Sequence, residues 1–375
     1  MLSTEFGNTG ARVSRLGFGG MRFEAPEKTE EMAAVVKHAF DAGITYFDTA
    51  PAYCDDKSEI IFGTAIQEIK KTGRPFYVSS KTMEATPDGV RRHCERSLER
   101  LHLDAIDFYH VWCLVQPEDL SKRKAQGILK VFRDLKEEGL VRHISVSTHL
   151  EHGHIEAMLD EGEGLFESML LGLNIQNYHL RYAGVQAAAK RGMGVVTMNT
   201  LGGGILMDYP DRYRQIIQPG DASILETALR FNLSLPGIAV ALVGFRNSKD
   251  VDEAVEVVNR FKALSASEIS AASDQLRSLY QEFCTQCGYC SDCPQDIPVV
   301  RLMEAYNRGM IKGVDIALEH MHYHWNSTDV PALLAACTQC RACEEECTQQ
   351  LPILARFEEM KNAYAARENK KSLKG

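Results

Sequence analysis

The sequence predicts an α/β chain: a (β/α)8 TIM barrel followed by a small, mainly α-helical ferredoxin-like domain. Three observations carry this. Over about the first 260 residues, short apolar β-type runs alternate with amphipathic helical stretches. Eight such strand-then-helix units fill that length, the count and size of a (β/α)8 barrel. After Leu264 the text changes: eight of the eleven cysteines fall between Cys284 and Cys347, while the first 283 residues hold only Cys54, Cys94 and Cys113.

Taken in order, Thr4–Leu16 reads as a small hairpin with Gly7-Asn8-Thr9-Gly10 as its turn. Strands follow near Leu16–Gly19, Ile44–Asp48, Phe76–Ser80, Ile106–Val111, His143–Ser147, Gly172–Gln176, Val195–Met198 and Ala239–Val243. Between them the first helix covers Glu30–Asp41, where Met32, Val35, Val36, Ala39 and Phe40 form one apolar stripe. Later helices centre on Ile60–Ile69, Val90–Leu101, Ile128–Glu138, His154–Leu159, Ala183–Lys190, Ala222–Phe231 and Val251–Phe261. Glycine closes several of them just before the next strand, as in Ala42-Gly43-Ile44 and Arg191-Gly192-Met193. An open doubly wound sheet competes, but it wants a glycine-rich phosphate loop after its first strand, and Gly17-Phe18-Gly19-Gly20-Met21-Arg22 lacks that fingerprint. The expected division is therefore 1–265 for the barrel and 266–375 for the cysteine-rich domain, with helices near Val300–Lys312 and Ala355–Arg367.

Composition narrows the function. A net charge of −9 is the wrong sign for a nucleic-acid partner. No apolar run nears the roughly 18 residues of a membrane span, and the N-terminal text has no basic region or apolar core of a signal peptide. The expectation is a soluble, cytoplasmic protein.

The cysteine spacing speaks of metal. Cys284, Cys287, Cys290 and Cys293 form C-x2-C-x2-C-x2-C followed by Pro294, and Cys337, Cys340, Cys343 and Cys347 form C-x2-C-x2-C-x3-C. Two-residue spacing folds three thiolates round one corner of a cubane, while the fourth cysteine of each run reaches the other cluster. By that logic one [4Fe–4S] cluster takes Cys284, Cys287, Cys290 and Cys347, and the other takes Cys337, Cys340, Cys343 and Cys293. Thr348 stands where such runs place proline. Zinc prefers paired knuckles separated by longer loops, which this crowding does not offer. Clusters of this kind suit a reducing, low-oxygen cytosol. The segment His320-Met321-His322-Tyr323-His324 has no nearby carboxylate or cysteine partner and reads as surface or packing.

The barrel carries its own chemistry. The second barrel strand ends in Asp48-Thr49-Ala50-Pro51-Ala52-Tyr53, and the third ends in Ser79-Ser80-Lys81. Barrel active sites form at these strand C-termini. A tyrosine with a pKa near 10 donates its proton poorly at neutral pH, and a neighbouring Lys⁺ lowers that value. Asp48 can hold the lysine, so Asp48, Tyr53 and Lys81 read as a tuned general acid.

Together these residues resemble the aldo/keto reductase superfamily. The matching text runs from Thr9 to Arg22, then Asp48-Thr49-Ala50 with Tyr53, Ser58-Glu59 with Phe62-Gly63, Ser80-Lys81, and Asp107-Phe108-Tyr109. The likeness covers about residues 4–262, and with the cysteine runs the chain resembles those aldo/keto reductases that carry a C-terminal ferredoxin-type extension. The resemblance implies that Tyr53 is the proton donor, with Lys81 and Asp48 as its tuners. It places a histidine five residues after the Asp of the fourth strand, where this chain has Trp112. The neighbouring His110 would sit about 6.6 Å deeper. Either a local shift brings His110 to the site, or Trp112 fills the substrate-orienting position.

For the nicotinamide cofactor, NADP(H) or NAD(H), the resemblance implicates Gly20, Met21, Ser147 and Gln176. It also implicates Asn199, Leu201, Gly202, Gly203, Gly244 and Arg246. Arg246 and Lys249 suggest a 2′-phosphate partner and so NADP over NAD, whereas Asp250 and Ala254 replace the basic and amide residues that many relatives have. The implied activity is hydride transfer between NAD(P)H and a small carbonyl or alcohol, with two clusters coupling the chain to an external electron-transfer protein. The rival is a non-hydride electron carrier or partner-binding protein whose barrel site is degenerate.

Overall fold

The computed structural model describes all residues except 151–152, 176, 209, 280–283, 285–288, 314–316, 318–328, 348–349 and 373–375. Gln176, Cys287 and the His320–His324 segment therefore lie outside the described residues. The chain divides into two compact units, Met1–Asp274 and Gln275–Gly375.

The first unit opens with the antiparallel strands β1 (Ser3–Glu5) and β2 (Arg12–Ser14), which bring Thr4 opposite Val13. Eight parallel strands then close into a barrel: β3 (Leu16–Gly19), β4 (Tyr46–Asp48), β5 (Tyr77–Thr82), β6 (Ile106–Leu114), β7 (Val141–Thr148), β8 (Ser168–Gly172), β9 (Gly194–Met198) and β10 (Val240–Gly244). The helices between them are α1 (Thr29–Asp41), α2 (Ser58–Lys70), α3 (Pro87–Leu101), α4 (Asp119–Ala125), α5 (Ile128–Glu137), α6 (His154–Glu161), α7 (Tyr178–Lys190), the short turns α8 (Ile205–Asp208) and α9 (Pro210–Tyr213), α10 (Ile224–Ser234) and α11 (Ser248–Asn259). Helix α12 (Ala266–Leu279) follows.

Two apolar layers hold this unit. Outside the sheet, the α1 stripe of Met32, Val35, Val36, Ala39 and Phe40 packs with Phe18, Phe47, Phe62 and Val251. Burying each such side chain contributes roughly 1.5–3 kcal/mol. Inside, the base of the barrel is filled by Phe6, Tyr46, Phe108, Leu170, Val196 and Val240. Phe6 of the hairpin plugs that end, its ring 4.7 Å from Phe108 and 5.5 Å from Tyr46. Above this floor the inward positions turn polar, with Ser79, Lys81, His110, Ser145 and Ser147 all buried.

One strand departs from expectation. The sixth barrel strand is Ser168–Gly172, not Gly172–Gln176. Glu167 anchors its start by accepting from His143 Nδ1 at 2.9 Å and Lys136 Nζ at 2.5 Å. Beyond Gly172, Asn174 and Asn177 exchange backbone N–H to side-chain oxygen bonds of 2.8 and 3.3 Å, and this local turn captures the backbone in place of a ladder.

The second unit contains α13 (Val299–Lys312), α14 (Val330–Ala335), α15 (Ala342–Glu345) and α16 (Ile353–Ser372). Its core is built from residues such as Leu302, Met303, Leu334, Leu351 and Phe357. Among the described residues, no helix is long and apolar enough to cross a membrane.

Gly63 tests the packing of α2 on α3. A Cβ there would lie 1.9 Å from the Arg100 backbone oxygen. In an open helix Gly→Ala stabilises by about 1 kcal/mol, but overpacking costs about 1–3 kcal/mol, so the clash wins. Gly63→Ala is expected to lower the urea unfolding midpoint of the barrel.

Candidate active site

The C-terminal rim gathers three of the expected residues. Asp48 ends β4 and Lys81 lies in β5, both buried, with Lys81 Nζ donating to Asp48 Oδ1 at 2.7 Å. Ser79 Oγ donates to the same oxygen at 2.6 Å. Ser79 and Lys81 are two apart on one strand and so face the same side. Sequence reasoning named only the lysine, although this spacing was the signal for the serine. Tyr53 is half-buried in the loop beyond β4, and the Lys81 ammonium lies 5.3 Å from its ring centroid.

The loop that carries Tyr53 is bent unusually. Ala52, Cys54, Asp55 and Asp56 all have positive φ, between 52° and 67°, a region that costs non-glycine residues about 1–3 kcal/mol each. Asp56 holds it. Arg100 grips its carboxylate with two bonds of 2.7 and 2.8 Å, and Asp56 Oδ1 accepts from Ala52 N at 3.2 Å. The guanidinium holds the Asp56 carboxyl down to about 2. Neither Asp56 nor Arg100 stood out in the sequence, because they are 44 residues apart and meet only after α3 folds back.

The electrostatics of the phenol differ from expectation. Burial pushes the Tyr53 hydroxyl well above its ordinary value, and the Asp48 charge adds to this, with Cys113 and Cys54 behind them. Burial also lowers the Lys81 ammonium, against the pull of Asp48. Lys81 therefore does not bring Tyr53 below its free value in this arrangement, since desolvation and the nearby carboxylate outweigh the single cation.

At the fourth position two residues occupy different places. His110 pairs in register with Lys81 on β5 and Ser145 on β7 and is completely buried. Burial, then the Lys81 charge, lower its pKa to about 3, so the ring stays neutral. Trp112 instead meets the phenol, its ring 5.7 Å from that of Tyr53 in an edge-to-face contact. The strand is irregular between Val111 and Leu114, where Cys113 takes a left-handed φ of 62°. The same bulge gives Cys113 its electrostatic reach to Tyr53 and Lys81.

The expected cofactor positions lie at the ends of β3, β7, β9 and β10, which flank the strands that carry Asp48, Lys81 and His110. Ser147 Oγ is buried on β7 without a hydrogen-bond partner among the described residues. Such an orphaned hydroxyl fits a carboxamide presented from the barrel mouth. Gly20 donates its N–H to Asp48 O at 2.8 Å, and a Cβ there would meet Phe62 at 2.3 Å and Ser58 Oγ at 2.4 Å. Met21 beside it is 44% exposed. After β9, Asn199, Gly202, Gly203 and Gly204 all have positive φ, and Leu201 packs against the outer core. Only glycine adopts three such residues in succession without strain. Arg22 reaches across Gly244 to donate to Gly203 O at 2.9 Å. Arg246 is engaged by Asp250, which accepts from Nε at 2.8 Å and Nη2 at 3.0 Å.

In the second unit Cys284, Cys290, Cys293, Cys337, Cys343 and Cys347 pack against the apolar core, while Cys340 is exposed. Burial, the adjacent Glu344, and then Cys337 and Cys293 push the Cys343 thiol up to about 11, so these three cysteines of one expected set lie within electrostatic reach. Gln339 and Arg341 take left-handed φ values between the cysteines of that run, and Cys347 Sγ accepts from Leu351 N at 3.4 Å. Half-buried thiols with an N–H aimed at sulfur are a donor set that suits iron–sulfur ligation. Among the described residues, no three His, Cys, Asp or Glu side chains form a group that could hold a single metal ion.

Comparison with known proteins agrees with this division. The family described as aldo/keto reductase matches residues 15–275, and the 4Fe-4S dicluster domain matches residues 280–351. An L-galactose dehydrogenase of Arabidopsis thaliana is 26% identical over 314 residues, 73% of this chain and 94% of that protein. A probable aldo-keto reductase 1 of Glycine max is 30% identical over 156 residues, 38% of this chain and 44% of its own. Among solved structures, the holo form of aldo-keto reductase AKR11C1 from Bacillus halodurans superposes with a TM-score of 0.62 at 19% identity, over 73% of this chain and 96% of that one.

The buried imidazole has a pH signature. An unfolded histidine titrates near 6.5 and the folded ring near 3, so between these values the unfolded chain binds the extra proton. Its contribution to stability is full above about pH 6.5 and is lost as pH falls toward 3. The His110 ring resonances are expected to stay flat from pH 8 to 5 in an NMR titration, and His110→Gln should remove this part of the acid dependence of unfolding.

Proposed function

The chain belongs to the aldo/keto reductase family, and from that membership and the geometry of the rim we propose that it reduces a small carbonyl compound to an alcohol, or runs the reverse, with Tyr53 as proton donor. The observation that carries this is the phenol standing over a buried Lys81–Asp48 pair at the barrel mouth. A bound nicotinamide dinucleotide would supply the hydride.

The residues supply everything else. The raised pKa keeps Tyr53 protonated at any working pH. Its proton moves when the carbonyl oxygen gains charge, because an alkoxide is about as basic as hydroxide, whose acid has a pKa of 15.7. The tyrosinate left behind faces the Lys81 ammonium, which Asp48 and Ser79 hold in place. Trp112 walls the substrate side of the phenol, and His110 remains a neutral neighbour of Lys81 inside the barrel. Ser147, Gly20, Met21, Asn199, Leu201, Gly202 and Gly203 line the position for the cofactor, and Gln176 belongs to the same set.

At the adenosine end we read NAD(H) over NADP(H), the reverse of what Arg246 and Lys249 suggest in the sequence. Arg246 is already neutralised by the Asp250 fork, and Asn247 donates to Glu24 at 2.9 Å. A 2′-phosphate would have to displace one carboxylate in sight of another.

The C-terminal unit we assign to two [4Fe–4S] clusters, on Cys284, Cys287, Cys290 and Cys347, and on Cys337, Cys340, Cys343 and Cys293. When bound they supply one-electron transfer to an external partner.

Tyr53→Phe is expected to cut carbonyl reduction by about 10²–10⁴-fold while NADH affinity, read by fluorescence, stays within a few-fold. Unchanged turnover removes Tyr53 from the mechanism, and NADPH binding as tight as NADH overturns the cofactor assignment. Protein purified without oxygen should hold about eight iron and eight sulfide per chain, falling to about four of each in a Cys340→Ser/Cys343→Ser variant. Stoichiometric zinc in place of iron would sink the cluster assignment.

A further inference from the structure

We infer that Arg123 forms an anion subsite at the barrel mouth, so that the carbonyl substrate carries a carboxylate or a phosphate; the inference rests on the site proposed above. Arg123 lies on α4, the short helix that follows the bulged end of β6. Three cations succeed one another there, and they have different fates. Lys122 pairs with Glu118 at 3.1 Å and Lys124 pairs with Glu163, both at the surface. Arg123 is half-buried, and no carboxylate among the described residues lies within 4 Å of it.

Its position ties it to the reacting end of the barrel. Arg123 Nη1 stands 3.5 Å from the backbone oxygen of Thr82, the residue after Lys81. Its charge also reaches Cys113, which in turn is in electrostatic reach of Lys81 and Tyr53. That long contact is the only hydrogen bond the guanidinium makes among the described residues, out of five donors. Asp119 acts on it through charge alone, with no ion pair between them within 4 Å among the described residues, and its Oδ2 accepts from both Val115 N and Gln116 N at 2.8 Å. Burying a guanidinium with one weak acceptor costs stability, which burial registers by lowering its pKa. A planar two-oxygen anion satisfies the remaining donors with charge-assisted bonds. The carbonyl end of the same molecule then lies toward Tyr53 and Trp112.

Two measurements test this. The first uses non-reacting anions: in a Trp325→Phe background, which leaves Trp112 as the one tryptophan, fluorescence is titrated with glutarate and with inorganic phosphate, with Arg123 intact and in Arg123→Gln and Arg123→Lys. Saturable binding of one anion, weakened at least tenfold in Arg123→Gln and partly restored in Arg123→Lys, is expected, and the anion that binds identifies the carboxylate or the phosphate. No binding of either, or binding unaltered in Arg123→Gln, overturns the inference. The second compares kcat/KM for 4-oxobutanoate against butanal and for glyceraldehyde 3-phosphate against glyceraldehyde. One charged member should be favoured at least tenfold, and in Arg123→Gln that ratio should fall toward one; equal loss on charged and neutral members would overturn it. The anion titration needs no turnover, so binding that persists in Tyr53→Phe separates the fate of Arg123 from that of the proton-donor assignment.

Discussion

The structure depends on a buried cation. Lys81 sits in the barrel interior with no exposure, and taking an ammonium out of water costs several kcal/mol unless it is paired and hydrogen-bonded. Asp48 from the adjacent strand meets that need at 2.7 Å, and Ser79 donates to the same carboxylate oxygen. Removing one partner would leave the other as an uncompensated buried charge, a loss of about 3–5 kcal/mol. The barrel can carry this burden because its floor, apart from the Tyr46 hydroxyl, is built from apolar side chains and capped by Phe6. The polar layer is thereby confined to the end that opens at the strand C-termini. Stability is concentrated at one end and chemistry at the other, the division a (β/α)8 barrel permits.

Placing the phenol over that pair demands a second device. Tyr53 follows β4 by only a few residues, so the chain must turn back at once, and it does so through several left-handed residues. Left alone, such a loop relaxes. The Arg100 fork on Asp56 fixes it from α3, and Arg100 also stands 3.7 Å from the buried Glu59 of α2. The tyrosine is thus positioned by two helices on the outside of the barrel as well as by its own strand. The rigidity of the site comes from the packing of α2 on α3, where Gly63 allows the close approach.

Much of this was legible in the sequence, for physical reasons that can be named. Seven of the eight barrel strands read correctly as apolar runs, several of them just after a helix-terminating glycine such as Gly43, Gly139 or Gly192. The sixth misread because Gly172–Gln176 alternates like a strand while its Asn174 and the following Asn177 hydrogen-bond each other's backbone. Asp48, Tyr53 and Lys81 could be grouped because Asp48 and Lys81 lie at the C-terminal ends of adjacent strands and Tyr53 lies in the loop just beyond β4. Trp112 and His110 could not be separated, since the choice turns on a bulge between Val111 and Leu114 that no residue type announces. The sign of the Tyr53 shift was also out of reach: a list of neighbours names Lys81, but the depth of burial decides. Arg123 passed unnoticed for a related reason, as three adjacent cations look alike until their carboxylate partners are found.

On the proposed function the two halves of the chain would handle electrons differently, and the electron count constrains how their chemistry could be coupled. The proposed carbonyl reduction would move two electrons at once as a hydride, whereas a [4Fe–4S] cluster normally takes one. Nothing in the chain resembles a flavin site that could divide the pair. Two clusters, however, have the capacity for the two electrons of one hydride, which a single cluster lacks. On the proposed reading, the eight cysteines then make sense as a matched store, and an outside partner that accepts single electrons becomes part of the cycle. Glu344, Glu345 and Glu346 beside Cys347 present the negative charge with which a basic partner would be steered to that end of the chain.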